Sequence, residues 1–256
     1  PEGLAFSPDG TKMFIIGRVG DDVNEFTLTT GFDVSTASYT RNFSISAQET
    51  QPMGLAFNTD GTKMFVCGFD GDDVNEYALT TGFNVSTASF TDAFSVSGQD
   101  STPYDIVFNT NGTKMFVVGG SGQNVNEYTL TTGFDVSTAS FVDAFSVSSQ
   151  DSNPAGIAFN ADGTEMFIAG STNDKVFKYT LSTGFDVSTA SYSSVSFSVA
   201  SQDGNASGLA FSADGLKMFI VGQINDSVYQ YSTGGGSVTT VPAGRALSTS
   251  SILLEG

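Results

Sequence analysis

The sequence predicts an all-β fold made of five copies of one four-stranded unit, and three observations predict it. First, the stretch MGLAFNTDGTKMFVCG at Met53–Gly68 returns as Glu2–Gly17, Tyr104–Gly119, Ala155–Gly170 and Ser207–Gly222. Second, the phenylalanine ahead of each turn (Phe6, Phe57, Phe108, Phe159 and Phe211) sets a register with spacings of 51, 51, 51 and 52 residues. Third, each copy is a series of short apolar runs parted by turn residues, with no helical periodicity in competition. Four-stranded units of this period are the pattern of a propeller blade, so the chain reads as a five-bladed β-propeller with blades of about 51 residues.

Each element follows from its residues. In the first copy Leu4–Phe6 reads as strand A, and Ser7-Pro8-Asp9-Gly10 as a tight turn whose Asp-Gly or Asn-Gly recurs at 60–61, 111–112, 162–163 and 214–215. Glycine supplies the positive φ of such a hairpin, and Asp or Asn bonds its own backbone. Strand B, Lys12–Ile16, is apolar on both faces, as expected of a strand held between neighbouring sheets. Strand C runs from about Val23 to Thr29. The turn Thr30–Ser38 (TGFDVSTAS) returns almost unchanged at 81–89, 132–140 and 183–191. Strand D carries Phe43 and Ile45, matched by Phe94/Val96, Phe145/Val147 and Phe197/Val199. One extra residue between Tyr192 and Phe197 accounts for the spacing of 52 and predicts a bulge. A glutamine (Gln48, Gln99, Gln150, Gln202) stands before each following strand A.

The wording resembles the blade repeats of YVTN/NHL- and lactonase-type propellers, in which P-x-G-L-A-F-S-P-D-G-T-K-M-F-V spans the inner two strands. Pro1–Phe14 matches that pattern, and the resemblance extends to about Thr233. It implies the propeller fold, and such blades also resemble parts of bacterial or phage surface proteins. Lactonase-like relatives imply a metal in the central channel held by carboxylates and amides of the inner strands. The inner strands here read Leu-Ala-Phe, Ile-Val-Phe or Ile-Ala-Phe, with Asp105 standing where other copies have Gly3, Gly54, Gly156 and Gly208.

The domain expectation is a propeller over 1–233 and a tail over 234–256. Five A–B–C sets meet only four D strands, because the pattern stops after Tyr231. Gly234-Gly235-Gly236 reads as a linker, and Ser237–Val241 as a β-prone run expected to close blade five, the rivals being a segment preceding Pro1 or a strand of a neighbouring chain; an open sheet edge is a liability proteins avoid. Pro242–Gly256, which ends in Ile252-Leu253-Leu254, reads as a connector or as a docking peptide for a larger assembly. With Pro1 first, the chain reads as a processed product or a segment of something longer.

Composition narrows the function classes. The chain has 27 acidic and 9 basic residues, a formal net charge of −18. Nucleic acid and anionic membrane surfaces need clustered Lys/Arg and are disfavoured. No run approaches the length of a membrane span. Cys67, the single cysteine, occupies a position held elsewhere by Ile16, Val118, Ala169 and Val221, so it reads as a small buried apolar side chain. There is no histidine, so Ser–His, Cys–His and His–metal chemistry is ruled out. Most carboxylates read as turn formers, among them Asp9, Asp60, Asp162, Asp214, Asp33, Asp135 and Asp186. The expectation is therefore no enzyme.

In a four-stranded blade the A–B and C–D turns share one face, and the B–C and D–A loops share the other. The first pair hardly varies between copies, whereas the second diverges, as a binding face would. The candidate ligand-binding residues there are Asp21, Asp22, Phe69, Asp72, Asp73, Tyr104, Gln123, Asn124, Asn173, Asp174, Asn225 and Asp226. Their Asp/Asn/Gln content with an occasional aromatic suits sugar hydroxyls and weak calcium coordination. Asp70, Asp72 and Asp73 form the best cation candidate, because Ca²⁺ takes clustered oxygen ligands; no other cofactor is expected. The expected function is a non-enzymatic binding or adhesion module, extracellular or on a virion, that recognises glycan or a surface protein. The alternatives are a structural spacer docked by its tail and, less favoured, a metal-dependent lactonase-like hydrolase.

Overall fold

The computed structural model describes residues 1–237, 239–241 and 251–253. Five four-stranded antiparallel sheets stand around one axis as a five-bladed β-propeller. Blade one is β1 (Gly3–Phe6), β2 (Lys12–Gly17), β3 (Asp22–Leu28) and β4 (Ala37–Ser44). Blade two is β5 (Pro52–Phe57), β6 (Lys63–Gly68), β7 (Asp73–Leu79) and β8 (Ala88–Ser95). Blade three is β9 (Pro103–Phe108), β10 (Lys114–Gly119), β11 (Asn124–Leu130) and β12 (Ala139–Ser146). Blade four is β13 (Pro154–Phe159), β14 (Glu165–Gly170), β15 (Lys175–Leu181) and β16 (Ala190–Ser198). Blade five is β17 (Ala206–Phe211), β18 (Lys217–Gly222), β19 (Ser227–Ser232) and, beyond β20 (Gly234–Ser237), β21 (Thr239–Val241). The innermost strands each touch the next, and β17 touches β1, which closes the ring.

Several elements differ from the sequence expectation. The C–D turn holds a short 3-10 turn, Val34–Thr36, repeated at Val85–Thr87, Val136–Thr138 and Val187–Thr189. Its cap is Asp33, Asn84, Asp135 or Asp186, whose side chain accepts the N–H two residues on, a local bond too short in range to show as periodicity. Strand D starts at Ala37, earlier than expected. In blade four Ser193 and Ser194 both stand between the pairs Tyr179↔Tyr192 and Lys178↔Val195, and Ser194 has φ 65°. Blade three has only Val142 in that place, so the extra residue does widen a bulge. Gly234–Gly236, expected as a linker, lie in β20, which pairs with β22 (Ser251–Leu253). Thr239–Val241 pairs with β19 (Val228↔Val241, Gln230↔Thr239), while Ser237 belongs to β20 and Val238 lies outside the described residues. Of the expected connector, 242–250 and 254–256 also lie outside them. Among the described residues no helix is long and apolar enough to cross a membrane.

The blades are joined by a repeated set of contacts. Phe14 of strand B packs on Phe57 of the next blade's strand A (ring centroids 4.5 Å apart) and on Phe83 of its C–D turn (6.2 Å). The triads Phe65/Phe108/Phe134, Phe116/Phe159/Phe185 and Phe219/Phe6/Phe32 repeat this at three further junctions. Burial of each ring contributes on the order of 2 kcal/mol. Each turn phenylalanine also covers the glycine of its own A–B turn: a Cβ on Gly112 (φ 71°) would lie 2.3 Å from the Phe134 ring. Beside each triad sits a polar latch. Lys114 Nζ donates to the Phe185 carbonyl (2.5 Å), while Glu127 accepts from Lys114 (2.6 Å) and from the Val187 N–H (2.9 Å). The glutamines ahead of strand A have a place as well: Gln99, Gln150 and Gln202 accept the hydroxyls of Tyr128, Tyr179 and Tyr231.

Candidate ligand-binding face

The B–C/D–A face is built on carboxylates that the sequence reading passed over. The first residue of each D–A loop is an acid eight positions ahead of the register phenylalanine: Glu49, Asp100, Asp151 and Asp203. All four are buried. Asp151 accepts the N–H of Asn153 (2.8 Å) in its own loop and those of Thr172 (3.3 Å) and Asn173 (2.9 Å) in the B–C loop. Asp203 does the same for Asn205, Ile224 and Asn225, and Asp100 for Thr102, Ser121 and Gly122. A charge-assisted bond to each N–H satisfies loop backbone that no strand partner reaches. The constant spacing to the phenylalanine was the available signal; variation in the residues around it hid the constancy.

The twelve candidate residues fall into distinct structural classes. Asp21, Asp72, Gln123, Asp174 and Asp226 occupy one equivalent left-handed position, φ 46–53°. The carbonyls of the first four accept the N–H of Ile45, Val96, Val147 and Val199 at the end of strand D. Asp and Asn tolerate this backbone, so the turn accounts for the acidity of the position. Asp22, Asp73 and Asn124 open strand C; Asp22 accepts from the Asn24 and Asn42 amides, and Asp73 from Asn75. Burial raises the Asp73 and Asp174 carboxyls above the usual carboxylate range. Asn173 and Asn225 are exposed and turn their amides back onto the Gln150 and Gln202 carbonyls. Phe69 and Tyr104 meet edge to face, with centroids 5.1 Å apart and planes at 84°.

The expected cation set does not come together. The Asp70 carboxylate is taken by the Thr50 hydroxyl and the Gln51 amide (3.0 Å), and the Thr50 bond, with Gln51 second, holds it below the usual range. Asp72 serves the turn and Asp73 faces Asn75. Among the described residues no group of three or more His, Cys, Asp or Glu side chains is placed to hold a metal ion. The physical reason is local competition: Asp70 and Asp73 each bond neighbouring donors, the Thr50 hydroxyl and the Gln51 and Asn75 amides, instead of converging on a shared ion.

At the axis the inner strands converge on this face. A bulge at Met53, Tyr104 and Ala155 ends each regular pairing with strand B. Next come Gly3, Gly54, Gly156 and Gly208, packed so closely that a Cβ on Gly3 would lie 2.5 Å from the Met53 carbonyl oxygen. The fifth member of this ring is Asp105, buried and accepting the N–H of Ile106 (2.9 Å) and of Ile157 in the next blade (3.0 Å). Burial pushes its carboxyl up to about 7. Below the ring lies a 340 Å³ apolar channel lined by Leu4, Leu55, Ile106, Ile157 and Leu209, reaching the A–B turns at Thr110 and Asn160. Cys67 is buried as expected, and burial raises its thiol well above the usual range.

Neither a family model nor a curated protein sequence matches the chain. Solved structures do match in fold. One is the periplasmic gluconolactonase of Pseudomonas aeruginosa, with a TM-score of 0.55, 15% identity, and coverage of 100% of this chain and 73% of the other. A candidate 6-phosphogluconolactonase of Bacteroides uniformis gives a TM-score of 0.53 at 12% identity, covering 90% of this chain and 66% of that one. A protein of unknown function from Desulfotomaculum acetoxidans gives 0.56 at 14%, covering 97% and 74%. In fold this chain is a β-propeller like these neighbours. The expectation of no enzyme is corrected by these neighbours, because the scaffold they share with this chain is one on which a gluconolactonase is built. At this identity the likeness carries the fold and no residue's role.

Proposed function

We propose that the propeller is a binding domain whose B–C/D–A face takes a glycan or the polar surface of another protein. One observation carries this reading. Buried acids fix the loop backbone on that face in blades two to five, while the exposed side chains at one equivalent position beside them (Asp70, Ser121, Thr172, Ile224) differ from blade to blade. A rigid backbone with freely varying side chains lowers the ordering cost of binding and lets each blade offer different groups. The Phe69–Tyr104 pair adds an aromatic surface beside polar loops, a combination that suits sugar rings. The test is a glycan array probed with the purified chain, with calcium and with EDTA, followed by Tyr104→Ala and Asn225→Ala. Selective binding of one sugar class that both substitutions weaken supports the reading; a blank array and no protein capture through this face would refute it.

A second reading, lactone hydrolysis, draws on the names of the structural neighbours and on Asp105. A buried carboxyl shifted to about 7 inside a ring of glycines is the kind of perturbed group that functional sites use. Gluconolactone turnover by the wild-type chain that Asp105→Asn abolishes supports it. Turnover equal to the uncatalysed rate sinks it.

A further inference from the structure

Departures from the repeat meet at one junction, between blades four and five. In the other four junctions a turn phenylalanine completes a triad; here Phe167 and Phe211 stack alone, 4.7 Å apart. Gly215 keeps its positive φ of 70°, yet among the described residues nothing lies within 4 Å of the place its Cβ would take, where Gly10, Gly61, Gly112 and Gly163 each meet a phenylalanine ring. The latch is reversed as well. Glu165 stands where Lys12, Lys63, Lys114 and Lys217 stand, and Lys178 stands where the others have Glu25, Glu76, Glu127 and Gln230. The two pair with each other (2.7 Å), and both remain partly exposed. The one inserted residue of the repeat, Ser194, widens the bulge that sets Val195 on the wall of the same space. The result is a groove of 710 Å³ on the A–B turn side, opposite the proposed binding face.

We propose that this groove is a docking site for a segment of a partner polypeptide that inserts an aromatic side chain beside Phe167 and Phe211 and carries a basic group next to it. The shape is fixed by internal comparison: four junctions show that an aromatic ring fits between two such phenylalanines and over such a glycine. Residues 233–256 contain no Phe, Tyr or Trp, so that segment does not supply the ring. In a second copy Phe32, Phe83, Phe134 and Phe185 already pack in their own junctions, and of its exposed aromatic residues Tyr39, Phe90 and Phe141 only Tyr39 has a basic residue within two positions, Arg41, which is paired with Glu25. The reversed pair selects the occupant's polarity. Elsewhere the lysine meets a turn carbonyl and the acid or amide meets an N–H; here a copy of that turn would set its carbonyl against Glu165. The occupant therefore presents N–H toward Glu165 and a carbonyl toward Lys178. Asp162 and Asp214 also line the groove, and bonds from Thr164 and from Ser212 respectively hold their carboxyls below the usual range. Three acids against one lysine favour a basic neighbour to the aromatic residue.

The experiment is an NMR titration of the full chain with N-acetyl-Phe-Arg-amide, with N-acetyl-Ala-Arg-amide as the comparison. Saturable shifts at Gly215, Thr233 and Val195 that the alanine probe does not produce are expected. Phe211→Ala should weaken binding about tenfold, the upper range for an aromatic pair. The paired exchange Glu165→Lys with Lys178→Glu retains the ion pair and should weaken binding about fivefold; it decides the matter if Phe211→Ala fails to fold. Absence of saturable shifts in the groove, equal response to both probes, or unchanged affinity in the exchanged variant each overturn the proposal.

Discussion

Asp151→Ala tests whether the D–A carboxylates are what holds the loop face. Asp151 is 1% exposed and accepts three backbone N–H groups at 2.8, 3.3 and 2.9 Å. A hydrogen bond to a charged group contributes about 1.5–3 kcal/mol, so three give roughly 4–5 kcal/mol at the low end. Removing the carboxylate also removes its own burial cost, which returns part of this. The expected net loss is about 3 kcal/mol, or a fall in Tm of roughly 6–12 °C for a chain of this size. Asp151→Asn keeps one acceptor oxygen for Asn153 and Thr172 but turns an NH₂ toward the Asn173 N–H, so it should lose about half as much. The assay is thermal and urea unfolding beside Asp92→Ala, whose carboxylate among the described residues accepts only the adjoining Ala93 N–H. Amide exchange at Thr172 and Asn173 should accelerate in Asp151→Ala at temperatures where the fold is intact. If Asp151→Ala melts with Asp92→Ala and those amides stay protected, the carboxylate does not hold the loops and the argument for a rigid face fails.

Other perturbations reach the remaining parts of the fold. Asp105 has a folded pKa of about 7 against an ordinary 3.8, so its contribution to stability is full below pH ~4 and is lost as pH rises through ~7. Asp105→Gly, which installs the residue of the other blades, should remove a slope of at most about 4 kcal/mol across that window, read from melts at acid, neutral and alkaline pH. Phe134→Ala removes a triad member and should cost about 3 kcal/mol in urea unfolding. Glu127→Ala should cost about 3 kcal/mol or more, because it leaves Lys114 and the Val187 N–H without their buried acceptor. Glu165→Ala, at a partly exposed pair, should cost no more than about 1 kcal/mol, and equal losses for the two glutamates would refute the reversed latch.

Much of the fold was legible because it is written in residues with few alternatives. Phe6 and its four equivalents set the register, and the glycines at 10, 61, 112, 163 and 215 fill a left-handed turn position. The candidate face was legible only in outline. Asp21 and its equivalents look like ligands in a sequence, but a left-handed backbone and a carbonyl acceptor explain them without one. Conversely Glu49, Asp100, Asp151 and Asp203 look like members of a variable loop, since a carboxylate gives no sign in sequence of which N–H groups it will meet. The reversal of Glu165 and Lys178 was visible letter by letter. Its meaning was not, because the latch joins residues 71 apart and shows only when neighbouring blades are set side by side.

The triads and latches also set how each seam of the ring is held. Blade five is clasped to blade one by Lys217 on the Phe32 carbonyl (2.6 Å), by Gln230 accepting the Val34 N–H (3.1 Å) and by the Phe219/Phe6/Phe32 triad. Between blades four and five, among the described residues, Phe167–Phe211 and Phe197–Tyr231 are the aromatic side chains that stack. At that neighbouring seam the innermost strands still meet and Leu209, Met218 and Ile220 share a buried core with Ala158, Ala169 and Val176. The covalent D–A connection at 199–206 crosses it too, so a gap opened there stays tethered, whereas the seam from last blade to first depends on the clasp just described.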